Sequence, residues 1–342
     1  MALDELVAVA NAMVSPGRGI LAADESTGTI KKRFDSIGVE STAASRIGYR
    51  QTFFTAEGAN ENISGVILYD ETLRQSISDG RTVPQALNDV GILPGIKVDT
   101  GAKPLSGCDG ETVTEGLDGL RERCQEYYEL GARFTKWRAV YKIAEGQPSY
   151  ACIIANAHAL ARYAAIAQEC GLVPIVEPEV LMEGDHSIEA CENVSQWAWS
   201  EVFQQLYYMN VNLEGMLLKP NMIISGSTCE TQASVQEVAE ATVRVLNRVV
   251  PPAVPGIAFL SGGQSDILAT EHLNAMNQLG SHPWELSYSY GRALQAPALA
   301  AWAGQEANAP AAQAAFLHRA RCNGAARTGS YTAEMEAAPA GV

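Results

Sequence analysis

The sequence predicts a single (β/α)8 barrel, and three observations carry that expectation. Eight short apolar runs with β-branched or aromatic content recur about every 30 to 46 residues, each ending in a polar residue. That interval is too long for hairpins and suits a strand, a loop and one or two crossover helices. The intervening segments have helical periodicity, with no second-domain signature to divide the chain. An open doubly wound sheet would place a glycine-rich phosphate loop after its first strand, whereas GILAADES contains neither G-x-G-x-x-G nor G-x-x-x-x-G-K-[ST].

In chain order, the expected strands are 19–24, 64–70, 95–99, 133–138, 173–179, 215–219, 256–261 and 285–292. Between the third and fourth, 117–130 sets Leu117, Leu120, Cys124, Tyr127 and Tyr128 at spacings of three and four. Arg121, Glu122, Arg123 and Glu126 take the other face, which makes an amphipathic helix. The pattern repeats over 187–209 and 230–250, and Pro251 with Pro252 stops the latter. Residues 1–322 are expected to form the barrel, and the Ala-, Gly- and Pro-rich stretch 323–342 a mobile tail.

Composition narrows the function. Of 342 residues 47% are apolar and 18% charged, a globular balance. Lys plus Arg is 24 against 39 for Asp plus Glu, and the net charge of -15 repels nucleic acid and anionic membrane surfaces. A phosphorylated ligand therefore needs a local basic cluster. Seven cysteines without a C-x-x-C pair read as reduced thiols. No apolar run approaches the roughly 18 residues of a membrane span. The start, MALDELVAVANAM, lacks a basic flank, so the expectation is a soluble, cytoplasmic protein, and a processed plastid form would have the same signature.

The chemistry is written in lysines. Only seven occur, and Lys97, Lys136 and Lys219 fall inside or at the end of strand-like runs, where a solvated lysine is not expected. In a barrel the carboxyl ends of the strands converge on one mouth. The strand ends supply Asp24, Asp70 with Glu71, Lys97 with Asp99, Lys136 with Arg138, Glu177 with Glu179, Lys219, Ser261, and Ser289 with Arg292. Solvated loops explain one or two charges per strand but not the alternation of lysines and carboxylates. A lysine packed beside cations in a partly dry pocket loses its proton more easily, and the neutral amine can attack a carbonyl to give an iminium, an electron sink for carbon–carbon cleavage.

Lys219 is the foremost candidate, ending the apolar run 215–218 with Lys136 and Glu177 on nearby strands; a lysine snorkelling at a strand end is the plainer alternative. Asp24, Glu177 and Glu179 can shuttle protons. LSGGQSD at the seventh strand and SYGRA at the eighth, with Ser261, Gly262, Gly291 and Arg292, suit a phosphate held by backbone N–H groups and a helix N-terminus. The five histidines show no paired-ligand spacing, so no metal and no cofactor is expected.

These blocks resemble class I fructose-bisphosphate aldolase, the Schiff-base type, over nearly the whole chain: GILAADEST, GVILYDETL, GIKVDTGAKPL, CDGETVTEGLDGL, ARFTKWRAV, VPIVEPEVL, GMLLKPNM, FLSGGQS and SYGRALQ. The resemblance implies a homotetramer of (β/α)8 barrels that cleaves fructose 1,6-bisphosphate to dihydroxyacetone phosphate and glyceraldehyde 3-phosphate without a metal. It implies Lys219 as the Schiff-base lysine, Glu177 as acid and base for the carbinolamine, and Asp24 as the base for cleavage. By the same resemblance Lys136 is the electrostatic partner and Glu179 orients the lysines. Lys97, Arg138, Lys32 and Arg33 match contacts to substrate phosphate or hydroxyls, and Ser261, Gly262, Gly291 and Arg292 the other phosphate. Eukaryotic members typically end in a tyrosine implicated in enamine protonation; this chain ends EMEAAPAGV, and Tyr331 resembles an internal tyrosine of the pattern. Another Schiff-base aldolase or a transaldolase acting on a monophosphate, and an acidic partner-binding scaffold, are the competing readings.

Overall fold

The computed structural model describes residues 3–337. Eight parallel strands close into a barrel: β1 (Gly19–Ala23), β2 (Ile63–Leu68), β3 (Leu93–Lys97), β6 (Phe134–Tyr141), β7 (Val173–Val180), β8 (Leu217–Leu218), β9 (Gly256–Phe259) and β10 (Glu285–Tyr290). β10 returns to pair with β1 and completes the ring. All eight expected strands are present. β8 has only two residues, because Gly215 belongs to the 3-10 turn Leu213–Gly215 and Pro220 lacks an N–H; the ladder still runs on through the Lys219 N–H, 2.8 Å from the carbonyl of Val176. A small antiparallel hairpin, β4 (Gly101–Pro104) with β5 (Thr112–Glu115), fills the β3–β6 connection and was not expected.

Helices α1 (Leu3–Met13), α2 (Thr27–Asp35), α3 (Ala43–Phe54), α4 (Asp70–Leu73), α5 (Val83–Asp89) and α6 (Leu120–Glu129) belong to the first half. They are followed by α7 (Tyr150–Glu169), α8 (Ile188–Tyr208), α9 (Val235–Val249), α10 (Asp266–Gln278), α11 (Arg292–Trp302) and α12 (Ala309–Arg327). Serine side chains cap several of these where the sequence places them: Ser187 before α8, Ser234 with Glu237 as a capping box before α9, and Ser265 before α10.

The strand alternation sorts the core into two layers. Ile20, Ala22, Ile67, Phe134, Val173, Ile175, Leu217 and Ala258 face inward and pack as one cluster. Leu21, Ala23, Val66, Leu68, Ile96, Trp137, Val176, Leu218 and Phe259 face outward and join the cluster under the helices. Phe134 fills the barrel because its neighbours are glycines: a Cβ on Gly95 would lie 2.2 Å from its ring, and one on Gly65 2.9 Å. The acidic N-terminal stretch forms α1, whose Leu6, Ala10 and Met13 recur at helical spacing and close the strand-start end of the barrel.

The expected boundary after Cys322 falls inside α12. Asn323, Gly324, Ala326 and Arg327 are buried; Arg327 reaches Glu285 at 3.1 Å and the carbonyl of Val14. Tyr331 is buried too, and its hydroxyl donates to Glu336 at 2.8 Å. The small residues here serve close packing of α12: a Cβ on Gly324 would lie 2.2 Å from the Asn62 side chain. Residues 338–342 of the expected tail lie outside the described residues. Among the described residues all seven cysteines are unpaired, and no helix is long and apolar enough to cross a membrane.

Candidate active site at the barrel mouth

Following the inward positions two residues beyond the core layer gives the site. Ile20 and Ala22 lead to Asp24, Ile67 to Tyr69, Leu93 and Gly95 to Lys97, Phe134 to Lys136 and Arg138, Ile175 to Glu177 and Glu179, and Leu217 to Lys219. Register sets them side by side: Lys97 opposite Lys136, Arg138 opposite Glu177, Val140 opposite Glu179. A cavity of about 810 Å³ opens there. All thirteen site residues expected from the sequence line it: Asp24, Lys32, Arg33, Lys97, Lys136, Arg138, Glu177, Glu179, Lys219, Ser261, Gly262, Gly291 and Arg292.

Its floor is a chain of ion pairs. Glu177 lies between two lysines, with Lys219 Nζ 3.3 Å from its Oε1 and Lys136 Nζ 3.4 Å from its Oε2, and Lys136 Nζ also lies 2.7 Å from Asp24 Oδ2. Lys136, Glu177 and Lys219 are each about 95% buried or more. Burial opposes the charge on Lys136, but Asp24, Glu177 and Asp99 outweigh it and hold the ammonium well above the ordinary lysine range. Burial likewise works to raise Asp24, and Lys136, Lys97 and Lys219 overcome it, keeping this carboxyl well below the usual carboxylate range. Lys136 thus sits among carboxylates and is fixed as a cation.

Asp70 and Glu71, grouped with the other strand ends on sequence, do not reach the mouth. Tyr69 holds the inward position on that strand, so Asp70 turns outward to Arg74 and to the Tyr127 hydroxyl, and Glu71 binds Arg46 through both oxygens. Glu179 pairs with Arg138 rather than with a lysine. Lys97 stands over the Tyr69 ring at 5.0 Å.

The rim carries the cationic groups. Gly262 and Gly263 have φ of +56° and +92°, a turn closed by the Gln264 N–H on the Ser261 carbonyl at 2.9 Å. A Cβ on Gly263 would meet Arg292 at 2.9 Å, so that guanidinium lies directly over the turn, beside the N-terminus of α11. Arg292 and the glycine turn are thus brought together at the start of α11, an arrangement suited to an anion. On the same side as α11, Arg33 lies beside Gly291, its Nη2 3.9 Å from where a Cβ there would be, and is held by Glu25 at 2.5 Å, with Glu25 held in turn by Arg50 at 3.3 Å and Gln295 at 2.8 Å.

Sequence reasoning assigned no role to several mouth residues. Asp99 lines the cavity, and burial pushes its carboxyl up against the pull of Lys136 and Lys97; its two-residue spacing from Lys97 was the available signal. Ser289 presents a buried Oγ without a partner among the described residues, two residues along the inward face from Ser287. Glu25, in ADES, was hidden by its adjacency to Asp24. Behind the Ser261–Gln264 turn, the Gln264 side chain is clamped between His272 Nδ1 at 2.6 Å and Met222 Sδ at 3.6 Å; the contact spans α10, and no sequence pattern announces it.

Fold and site together define a barrel enzyme centred on a buried lysine, with cationic rims placed for anionic substrate groups. The family model "Fructose-bisphosphate aldolase class-I" matches residues 5–341. The "Probable fructose-bisphosphate aldolase class 1" of Xanthomonas campestris pv. campestris is 55% identical over 332 residues, 97% of this chain and 99% of that one. The fructose-bisphosphate aldolase of Dictyostelium discoideum is 54% identical, covering 97% and 94%. A solved structure of fructose-bisphosphate aldolase from Plasmodium falciparum, in complex with TRAP and a small-molecule inhibitor, superposes with a TM-score of 0.95 at 50% identity over 96% of this chain and 95% of that one. The chain belongs to the class I fructose-bisphosphate aldolase family.

Proposed function

We infer that this protein cleaves fructose 1,6-bisphosphate reversibly to dihydroxyacetone phosphate and glyceraldehyde 3-phosphate through a Schiff base on Lys219. The observation that carries the assignment is the sharing of one buried carboxylate, Glu177, between Lys219 and Lys136. The Lys219 nitrogen adds to the C2 carbonyl of the open-chain ketose. Glu177, 3.3 Å from it, takes the ammonium proton and returns one to the departing hydroxyl, so that water leaves and the iminium forms. Asp24, kept ionised by Lys136, accepts the C4 hydroxyl proton as the C3–C4 bond breaks and its electron pair moves into the iminium to give an enamine. Protonation at C3 and hydrolysis then release the second product and the free lysine.

One phosphate is assigned to Ser261, Gly262, Gly291 and Arg292, with Arg33 beside Gly291, and the other end of the substrate to Lys32, Lys97 and Arg138. Borohydride reduction in the presence of dihydroxyacetone phosphate, followed by peptide mapping, is expected to place the adduct on Lys219, to the same extent in excess EDTA. Lys219→Ala is expected to stay folded and lose turnover. An adduct on Lys136 or Lys97, or a zinc-restorable loss of trapping, contradicts the mechanism. A cytoplasmic homotetramer is the setting we assign by resemblance; light scattering at working concentration is expected to give four times the chain mass, and a monomer refutes it.

A further inference from the structure

His318 and Cys322 lie one helical turn apart on α12, and Glu336 ends the 3-10 turn Ala333–Glu336 that folds back against that helix. The His318 Nε2 is 3.9 Å from the Cys322 sulfur and 3.8 Å from Glu336 Oε2, and one ligand atom from each residue lies within 4.8 Å of the other two. Two ligands of a tetrahedral zinc ion, at about 2.0–2.3 Å from the metal, stand roughly 3.4–3.6 Å apart. The three side chains are therefore within a few tenths of an ångström of sharing an ion along both measured edges.

The surroundings fit as well. Tyr331 donates to Glu336 Oε1 at 2.8 Å and Arg319 to Oε2 at 2.5 Å, which fixes the carboxylate and leaves each oxygen a further lone pair. Arg319 pairs most closely with this same carboxylate, at 2.5 Å, and has Asp266 as a second carboxylate at 3.8 Å. The thiolate and the carboxylates of Glu336 and Asp266 together balance a dication and the Arg319 guanidinium. Cys322 is buried while His318 and Glu336 are partly exposed, which gives an entry path and room for a water. None of the three lines the mouth cavity.

We propose that His318, Cys322 and Glu336 bind one divalent transition-metal ion of the zinc type, with water as fourth ligand, and that the ion fastens the C-terminal turn onto α12. Coordination forms the metal–sulfur bond as the thiol proton leaves to solvent. The site is structural, and emptying it leaves the aldol chemistry intact.

Cobalt(II) is the probe, titrated into the full chain after removal of metal with a chelator. One equivalent is expected to develop a thiolate-to-cobalt charge-transfer band and the intense visible bands of tetrahedral coordination, both abolished by one equivalent of zinc. Cys322→Ser is expected to remove the charge-transfer band, and His318→Gln, at a partly exposed position, to weaken cobalt binding by at least about tenfold. Zinc loading should also slow proteolysis within 328–337 several-fold in the parent chain and not in His318→Gln. Absence of the band at stoichiometric cobalt, or its survival in Cys322→Ser, overturns the proposal. Should Cys322→Ser fail to fold, unchanged affinity in His318→Gln is equally decisive.

Discussion

His272 has lost its water without gaining an ion. It is buried on α10, with Nδ1 on Gln264 and no partner for Nε2 among the described residues, and burial pushes its pKa down to about 4 from 6.5. In the unfolded chain the imidazole takes up its proton near 6.5, and in the folded chain only near 4. Stability from this residue is therefore full above pH 6.5 and declines as pH falls toward 4, by up to about 3 kcal/mol. Chemical denaturation is expected to show that His272→Asn removes part of the stability slope between those pH values; parallel slopes for parent and variant would refute the assignment. Since Gln264 anchors the Ser261–Gly263 turn, the variant is also expected to raise KM for the bisphosphate severalfold with kcat little changed. At this scale the sequence was legible wherever alternation governs: Lys97, Lys136, Glu177 and Lys219 stand in phase with inward core residues two or four positions earlier. It misled at Asp70, one position out of phase, and was silent at His272, whose partner is set by packing alone.

Among the elements, the eight barrel strands and the amphipathic α6, α8 and α9 follow from periodicity, because burial on one face writes itself into the chain. The β4–β5 hairpin is short and half-exposed, with the burial of a loop, and leaves no such trace. In the C-terminal segment small residues serve close packing and mobility alike, so composition alone does not separate the two; what decides is the contact partner. Removing residues 332–342 takes away Glu336, the nearer of the two carboxylates paired with Arg319, whose side chain is 2% exposed. Thermal unfolding is expected to report a loss of about 1–3 kcal/mol, allowing for the partial exposure of Glu336. Turnover is expected to change only a few-fold, since the assigned proton carriers all lie at the mouth. A hundredfold drop in kcat, about 2.7 kcal/mol in barrier, would show that the segment takes part in the chemistry.

For the whole molecule the question is how a protein of net charge -15 attracts a doubly phosphorylated sugar. The mouth is not the strongly positive basin that its lysines suggest on sequence: seven cations and six carboxylates line it. Its advantage is arrangement. The carboxylates Asp24, Asp99, Glu177 and Glu179 are paired with or pressed against the inner cations, whereas Arg292 and Lys32 have no carboxylate within ion-pair distance among the described residues. At about 0.1 M salt the Debye length is roughly 10 Å, so charges on the far side of the barrel are screened while rim cations act on a phosphate beside them. Two opposite trends compete on raising the salt. If the net charge governed, screening would relieve repulsion and help the more anionic substrate more. If the rim governs, screening weakens attraction, and the substrate with two phosphates loses more. The distances favour the rim, so kcat/KM for fructose 1,6-bisphosphate is expected to fall more steeply with ionic strength than that for fructose 1-phosphate. Arg292→Gln is expected to narrow the gap between the two slopes. Equal slopes in the parent enzyme would leave only one phosphate held at the mouth, and would return the assignment to an aldolase of sugar monophosphates.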